Sequence, residues 1–180
     1  MTTQFIPPGP DGGRFVTTVG SPIGDLLLTG SETALAGLYM LDGPGTPPGA
    51  AAGRINDPRP FGKVIAQLRA YFAGELTDFD LPLSPSGTAF QLAVWSALTG
   101  IPYGTTRSYG EIARALGRPG AASRAVGAAN GQNPIAVIVP CHRVIGADGS
   151  LTGYGGGLTR KQWLLRLEGA PAAAQPATLW

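Results

Sequence analysis

The 180-residue sequence predicts an α/β N-terminal domain, a small antiparallel sheet plus one helix, followed by a mostly helical C-terminal domain with a helix-turn-helix. Three observations carry this. Residues 14–20, 24–29 and 34–41 are short runs of β-branched and apolar residues separated by turn signals such as Ser21-Pro22-Ile23-Gly24, which is the pattern of strands. Phe61, Val64, Ile65, Leu68, Tyr71 and Phe72 recur at helical spacing. Thr88 with Gln91, Ser108 with Glu111, and Thr159 with Gln162 each fit the capping box, in which cap and third residue satisfy one another's backbone donors.

Taken in order, residues 1–13 are rich in Pro and Gly without periodicity and are expected to form a disordered leader to an N-terminal domain spanning 1–83. The stretch 42–60 is dense in Pro and Gly and is expected to be a loop, after which the amphipathic helix covers the sheet, with Tyr71 and Phe72 in its core. Residues 74–87 connect to a second domain, 84–170, with helices expected at 88–99, 108–116 and 159–167. Arg118-Pro119-Gly120 marks a tight turn and 121–130 a further short helix, so that helix, turn and helix follow in sequence. The apolar run 135–139 is expected to be a buried strand that Pro140, lacking an N–H, brings to an end. Residues 171–180 are expected to be a disordered tail.

One Cys and one His exclude an internal disulfide, a CxxC redox pair and a zinc cluster, so no metal and no cofactor is expected. No run approaches the ~18 apolar residues of a membrane span, and the N-terminus carries no apolar signal segment, so a cytoplasmic protein with no membrane partner is expected. The net charge of +2 conceals a strong polarity. Residues 1–83 hold five cations and eight anions, net −3, whereas residues 84–180 hold eight cations and three anions, net +5. A basic half opposed to an acidic half suits a one-sided nucleic-acid binder.

The chemistry concentrates at Pro140-Cys141-His142-Arg143-Val144. A lone thiol beside a lone imidazole and a cation assembles what lowers a thiol pKa and makes a nucleophile; the competing reading is a small buried hydrophobe. Ala121, Ala122, Ser123, Ala125 and Gly127 leave the second helix of the helix-turn-helix nearly without bulk, which allows close approach to a minor groove with little base readout. Arg124 is its one long cation. Glu168 falls at a helix C-terminus, where an anion is unfavourable without a partner.

The segments IPYGTTRSYGEIA, AVGAANGQNPIAVIVPCHRVIG and LTGYGGGLTRKQWLLRLEG, in this order and spacing, resemble the O6-alkylguanine-DNA alkyltransferases from about residue 87 to residue 169. That resemblance implies DNA repair by direct reversal, with the alkyl group moved irreversibly from a flipped base to the protein's own cysteine. It implies Cys141 as acceptor, His142 as the base acting through a water, and Glu168 as the carboxylate holding His142. It further implies Tyr109 as the donor that helps the purine leave, Asn133 as a brace of the active-site backbone, and Arg124 as the finger replacing the extruded nucleotide. Val144, Tyr154, Gly155 and Gly156 match the wall of the guanine pocket. Some members carry a serine where Gly155 stands, which implies a different alkyl preference here. The zinc that some members hold in the N-terminal domain has no ligands in this chain.

The implied partner is double-stranded DNA carrying O6-alkylguanine, with O4-alkylthymine as a second candidate lesion, bound by a monomer. Two other classes fit parts of the sequence. A non-catalytic lesion-binding protein would need the helix-turn-helix alone, but the retained Cys141 argues against it. A Cys-His-Glu hydrolase would use the same residue types, yet has no need of the slim helix with its arginine.

Overall fold

The computed structural model describes residues 3–7, 13–43 and 45–171. Its contacts divide the chain into two compact units, one of residues 1–86 with 134–136, the other of residues 87–133 with 137–180. Residues 172–180 of the expected tail and most of the expected leader lie outside the described residues. Within that leader Gln4–Phe5 is a strand, β1, rather than unstructured chain.

In the first unit, β2 (Phe15–Val19), β3 (Leu26–Gly30) and β4 (Leu35–Met40) pair antiparallel in sequence order, as the alternating runs and tight turns dictate. Two-residue strands extend this centre on both sides. β5 (Ile55–Asn56) adds parallel to β2, and β6 (Pro82–Leu83) lies between β4 and β1, giving the order β1-β6-β4-β3-β2-β5. The sheet is therefore mixed, with an antiparallel core. The stretch 42–60, expected to be loop throughout, contributes β5 because the Ile55 N–H donates to Arg14 O (2.9 Å) and the Asp57 N–H to Val16 O (3.0 Å).

Helix α1 (Gly62–Phe72) buries Val64, Leu68 and Tyr71, spaced four and three residues apart on one stripe. Tyr71 packs against the Phe79 ring at 5.3 Å. Leu26, Leu28, Leu38, Phe61, Leu68, Tyr71 and Leu83 are all nearly or wholly excluded from solvent and form this unit's core. Residues 134–136 belong here because Leu38 donates to Pro134 O (2.8 Å) and Ala136 donates back to Leu38 O (3.1 Å). That pairing is an isolated parallel bridge and not part of a strand. The expected buried strand is a turn, which Val137 passes through at a φ of 70°. For a β-branched residue this conformation costs about 1–3 kcal/mol, tolerated where the surroundings hold it in place, and Val137 is fully buried.

The second unit is mostly helical. Helix α2 (Ala89–Thr99) and helix α3 (Tyr109–Ala115) both start with complete capping boxes, from Thr88 with Gln91 and Ser108 with Glu111. Strand β7 (Arg107–Ser108) leads into α3 and pairs parallel with β8 (Val144–Ile145). Helix α4 (Ser123–Gly131) follows a 3-10 turn at Gly120–Ala122, so the regular helix begins two residues later than expected. Trp95 on α2 donates its indole N–H to Ala129 O of α4 at 2.8 Å, a buried bond that fixes the two helices. Helix α5 (Leu158–Leu167) lacks the expected capping box: its cap is Gly157 at a φ of 88°, with Thr159 already inside the first turn. A left-handed entry needs glycine, and it offers no side-chain oxygen to the first N–H groups. Among the described residues no helix is long and apolar enough to cross a membrane.

Candidate active site

Cys141, His142 and Arg143 form a single 3-10 turn between the 137–140 bend and β8, and all three are buried. The end of α4 holds the turn. Asn133 donates from Nδ2 to Val139 O (2.8 Å) and to Cys141 Sγ (3.1 Å), and Asn130 donates to Cys141 O (3.4 Å). The slim helix thus positions the sulfur from behind, a role of Asn130 for which no sequence signal stood out.

His142 Nε2 shares a 2.8 Å hydrogen bond with Glu168 Oε1, both side chains being fully excluded from solvent. Arg143 completes a buried triad, donating from Nε to Glu168 Oε2 (2.9 Å), from Nη2 to Oε1 (3.0 Å) and from Nη1 to Ile101 O (2.5 Å). The backbone N–H of Gly104 adds a fourth donor to Glu168 at 3.3 Å. A side chain at Gly104 would strike Glu168 O at 2.7 Å, and its φ is 73°, so glycine is required there. Arg143 was visible in the sequence only as a neighbouring cation. Its function as the clamp of Glu168 depends on a residue 25 positions away.

Burial would raise the Glu168 carboxyl, but the hydrogen bonds and charges of His142 and Arg143 outweigh it and hold the group at about 2. Burial pushes His142 below its ordinary value despite Glu168, so at neutral pH the ring is neutral. With Nε2–H donated to the carboxylate, Nδ1 is the basic nitrogen, and it is buried without a hydrogen-bond partner. The thiol departs from the expectation of a lowered pKa. Burial pushes Cys141 up, and the Asn133 bond and the Lys161 charge offset this only in part. A thiol in so dry a place rests protonated, and its ionisation has to be coupled to a nearby base.

Lys161 is fully buried on α5, donating from Nζ to Val144 O (2.5 Å) and Thr152 O (2.7 Å). It went unremarked in the sequence because a lysine on an amphipathic helix is ordinarily solvated. Desolvation lowers it to about 8. Below that pH the folded protein carries a buried ammonium; between about 8 and 10.5 the unfolded chain holds the proton and the folded one does not. Stability should therefore rise with pH across this window, by about 3 kcal/mol at most. In a Cys141→Ser background, which removes the thiol's own titration, urea unfolding from pH 7 to 10.5 should show this rise, and Lys161→Met should abolish it.

Tyr109 and Tyr154 both lie near enough to Cys141 to feel its charge. Tyr109, half-buried at the start of α3, donates its hydroxyl to Thr152 O at 3.2 Å, sharing that acceptor with Lys161. Burial raises its phenol, so it remains a donor at neutral pH. The Tyr154 hydroxyl is buried without a partner, and burial first and the nearby Cys141 second push its pKa well up. Val144 is buried on β8, Gly156 is buried and Gly155 half-buried in the 151–157 segment. Gly153, at a φ of 44°, lets the backbone pass the Tyr109 hydroxyl.

On α4 and the 3-10 turn before it, Val126, Ala129 and Asn130 face inward, while Ala121, Arg124 and Ala125 are exposed and Ala122, Ser123 and Gly127 half-exposed. Among the described residues Arg124 makes no hydrogen bond or ion pair, so its guanidinium stands free on a face otherwise made of small side chains. A Cβ on Gly127 would meet the Tyr109 ring at 3.7 Å, so α4 links this face to the pocket.

A single buried thiol next to a neutral imidazole on a carboxylate has the make-up of a cysteine that accepts a group, and a slim exposed helix carrying an arginine lies beside it. Comparison with known proteins gives the particular family. The ribonuclease-like domain of 6-O-methylguanine DNA methyltransferase matches residues 15–85, and the DNA binding domain of the same family matches residues 89–170. The chain is 60% identical to a methylated-DNA--protein-cysteine methyltransferase of Mycolicibacterium paratuberculosis over 84% of this chain and 90% of that one. It is 53% identical to one of Methanosarcina acetivorans, over 83% and 95%. The crystal structure of Mycobacterium tuberculosis OGT in complex with DNA superposes with a TM-score of 0.81 at 56% identity, covering 88% of this chain and 96% of that one. The chain belongs to the 6-O-methylguanine DNA methyltransferase family.

Proposed function

We propose that this protein repairs DNA by taking the alkyl group from O6 of guanine onto Cys141 Sγ, once per chain. The observation that carries the reading is the buried array of Cys141, His142, Glu168 and Arg143 behind the exposed, arginine-bearing α4. Helix α4 enters the minor groove of duplex DNA, and Arg124 takes the place of the extruded nucleotide. The base then lies against Tyr109, Val144, Tyr154, Gly155 and Gly156. His142 Nδ1 receives the thiol proton through a water, with Glu168 stabilising the imidazolium that results. The thiolate attacks the alkyl carbon: the S–C bond forms, the C–O6 bond breaks, and its electron pair goes to the purine. Tyr109, protonated because it is buried, donates to the purine as that charge develops. Asn133 holds the sulfur in line throughout.

The thioether has no route back, because sulfur in a dry site is a poor leaving group without an acid to assist it. Incubation with duplex containing O6-methylguanine should add the mass of one methylene to Cys141, at most one equivalent per chain, with no release on standing. Cys141→Ser should bind the same duplex and gain nothing. Continued turnover in intact-mass and product assays would instead identify a hydrolase.

A further inference from the structure

The N-terminal unit contains a cavity of about 370 Å³ lined by Gly13, Thr29, Ser31, Tyr39, Arg54 and Ser84, together with small neighbours. We propose that it binds a phosphate group, supplied by a nucleic-acid strand or by a free organic phosphate such as a nucleotide. The inference concerns a site within the N-terminal unit and goes beyond the alkyl-transfer reading.

The lining is built from hydrogen-bond donors. Thr29 and Ser84, only 3% and 7% exposed, have hydroxyls with no hydrogen-bond partner among the described residues, and the same holds for Tyr39. Open to the cavity and not bonded within the fold, these hydroxyls are available to a ligand's oxygens. Arg54 anchors Nε to Gly13 O (2.7 Å) and Nη1 to Ala50 O, and Nη2 has no hydrogen-bond partner among the described residues. Burial keeps the Tyr39 phenol protonated and so a donor. Among the described residues no carboxylate lines the cavity. A fixed guanidinium with several hydroxyl donors, and no acid beside them among the described residues, suits a tetrahedral oxyanion. The volume lies within the ~300–1,000 Å³ of small-molecule sites and exceeds the needs of a bare ion.

The backbone is shaped to the same end. The β3–β4 ladder shifts register between Thr29 and Gly30, a bulge that inserts Ala36 and re-aims the wall. A Cβ at Gly37 would lie 2.4 Å from Tyr39 Cε2 and 2.5 Å from Thr29 Oγ1, so glycine there lets the phenol fold over the threonine.

The test is an NMR titration of the full Cys141→Ser chain with dGMP and with a short unmodified single-stranded oligonucleotide. The amide resonances of Gly13, Thr29, Tyr39 and Ser84 should shift, and excess inorganic phosphate should displace dGMP. Arg54→Gln should weaken binding about tenfold or more, and the near-isosteric Thr29→Val severalfold, while Arg54→Lys should keep part of it. In the Cys141-bearing chain, reaction with free O6-benzylguanine should stay within about twofold in each variant. A response to dGMP assigns the site to free organic phosphates, and a response to the oligonucleotide alone assigns it to the strand. Failure of both probes to shift these resonances, or affinities unchanged in Arg54→Gln and Thr29→Val alike, overturns the proposal.

Discussion

Glu168→Gln should lower the stability of the protein by about 3–5 kcal/mol and slow alkyl transfer about 100-fold or more. Two separate debts of the carboxylate produce this. It neutralises Arg143, whose side chain is buried and spends three of its donors on Glu168 and Ile101. An amide in its place leaves that charge buried and uncompensated. It also orients His142 and stabilises the imidazolium formed when the thiol ionises, and in so dry a site this ionisation is the costly step. The two effects can be parted. Adding Arg143→Met to Glu168→Gln removes the orphaned cation and should recover most of the stability while the rate stays low. His142→Ala should lose rate and leave affinity for duplex DNA largely intact. Urea unfolding and single-turnover rates from pH 6 to 9 would measure both; recovery of the rate along with stability in the double variant would make the carboxylate purely structural.

Arg124→Ala should cripple repair of an O6-methylguanine duplex, by about 100-fold, while reaction with the free base O6-benzylguanine stays within about twofold. Extruding a nucleotide costs a few kcal/mol, and each ~1.4 kcal/mol of uncompensated cost slows the reaction tenfold. The free base needs no extrusion. Among the described residues Arg124 has no intramolecular partner, and it stands on the small-residue face of α4, so its loss should disturb neither Cys141 nor the helix. Arg124→Lys should rescue only in part, since an ammonium restores charge without the planar face that stacks on bases. A simple phosphate contact would behave otherwise: lysine would substitute well, and the alanine variant would mainly show a smaller salt dependence of binding. Parallel losses on duplex and free base would remove the finger assignment.

Local signals in the sequence sufficed wherever the physics is local. The strands β2, β3 and β4, the buried stripe of α1, and the capping boxes of α2 and α3 follow from period, turn residues and caps a few positions apart. The same logic misled at Thr159, where the pattern of a capping box stands two residues too late because Gly157 provides the entry. It misled again over 135–139, whose apolar residues were as consistent with a buried turn as with a strand.

The sequence by itself determined which atoms could react: with one thiol and one imidazole in the chain, the nucleophile and its base had few alternatives, and an anion at the end of α5 called for a partner. Only the tertiary structure decided the energetics of that chemistry. Folding brings Glu168 within 2.8 Å of His142 and 2.9 Å of Arg143, seats Lys161 on two backbone carbonyls, and dries the sulfur so that its pKa rises rather than falls. These outcomes depend on desolvation and on charges distant in sequence, and a side chain's burial is a property of everything packed around it, which no short stretch of sequence encodes.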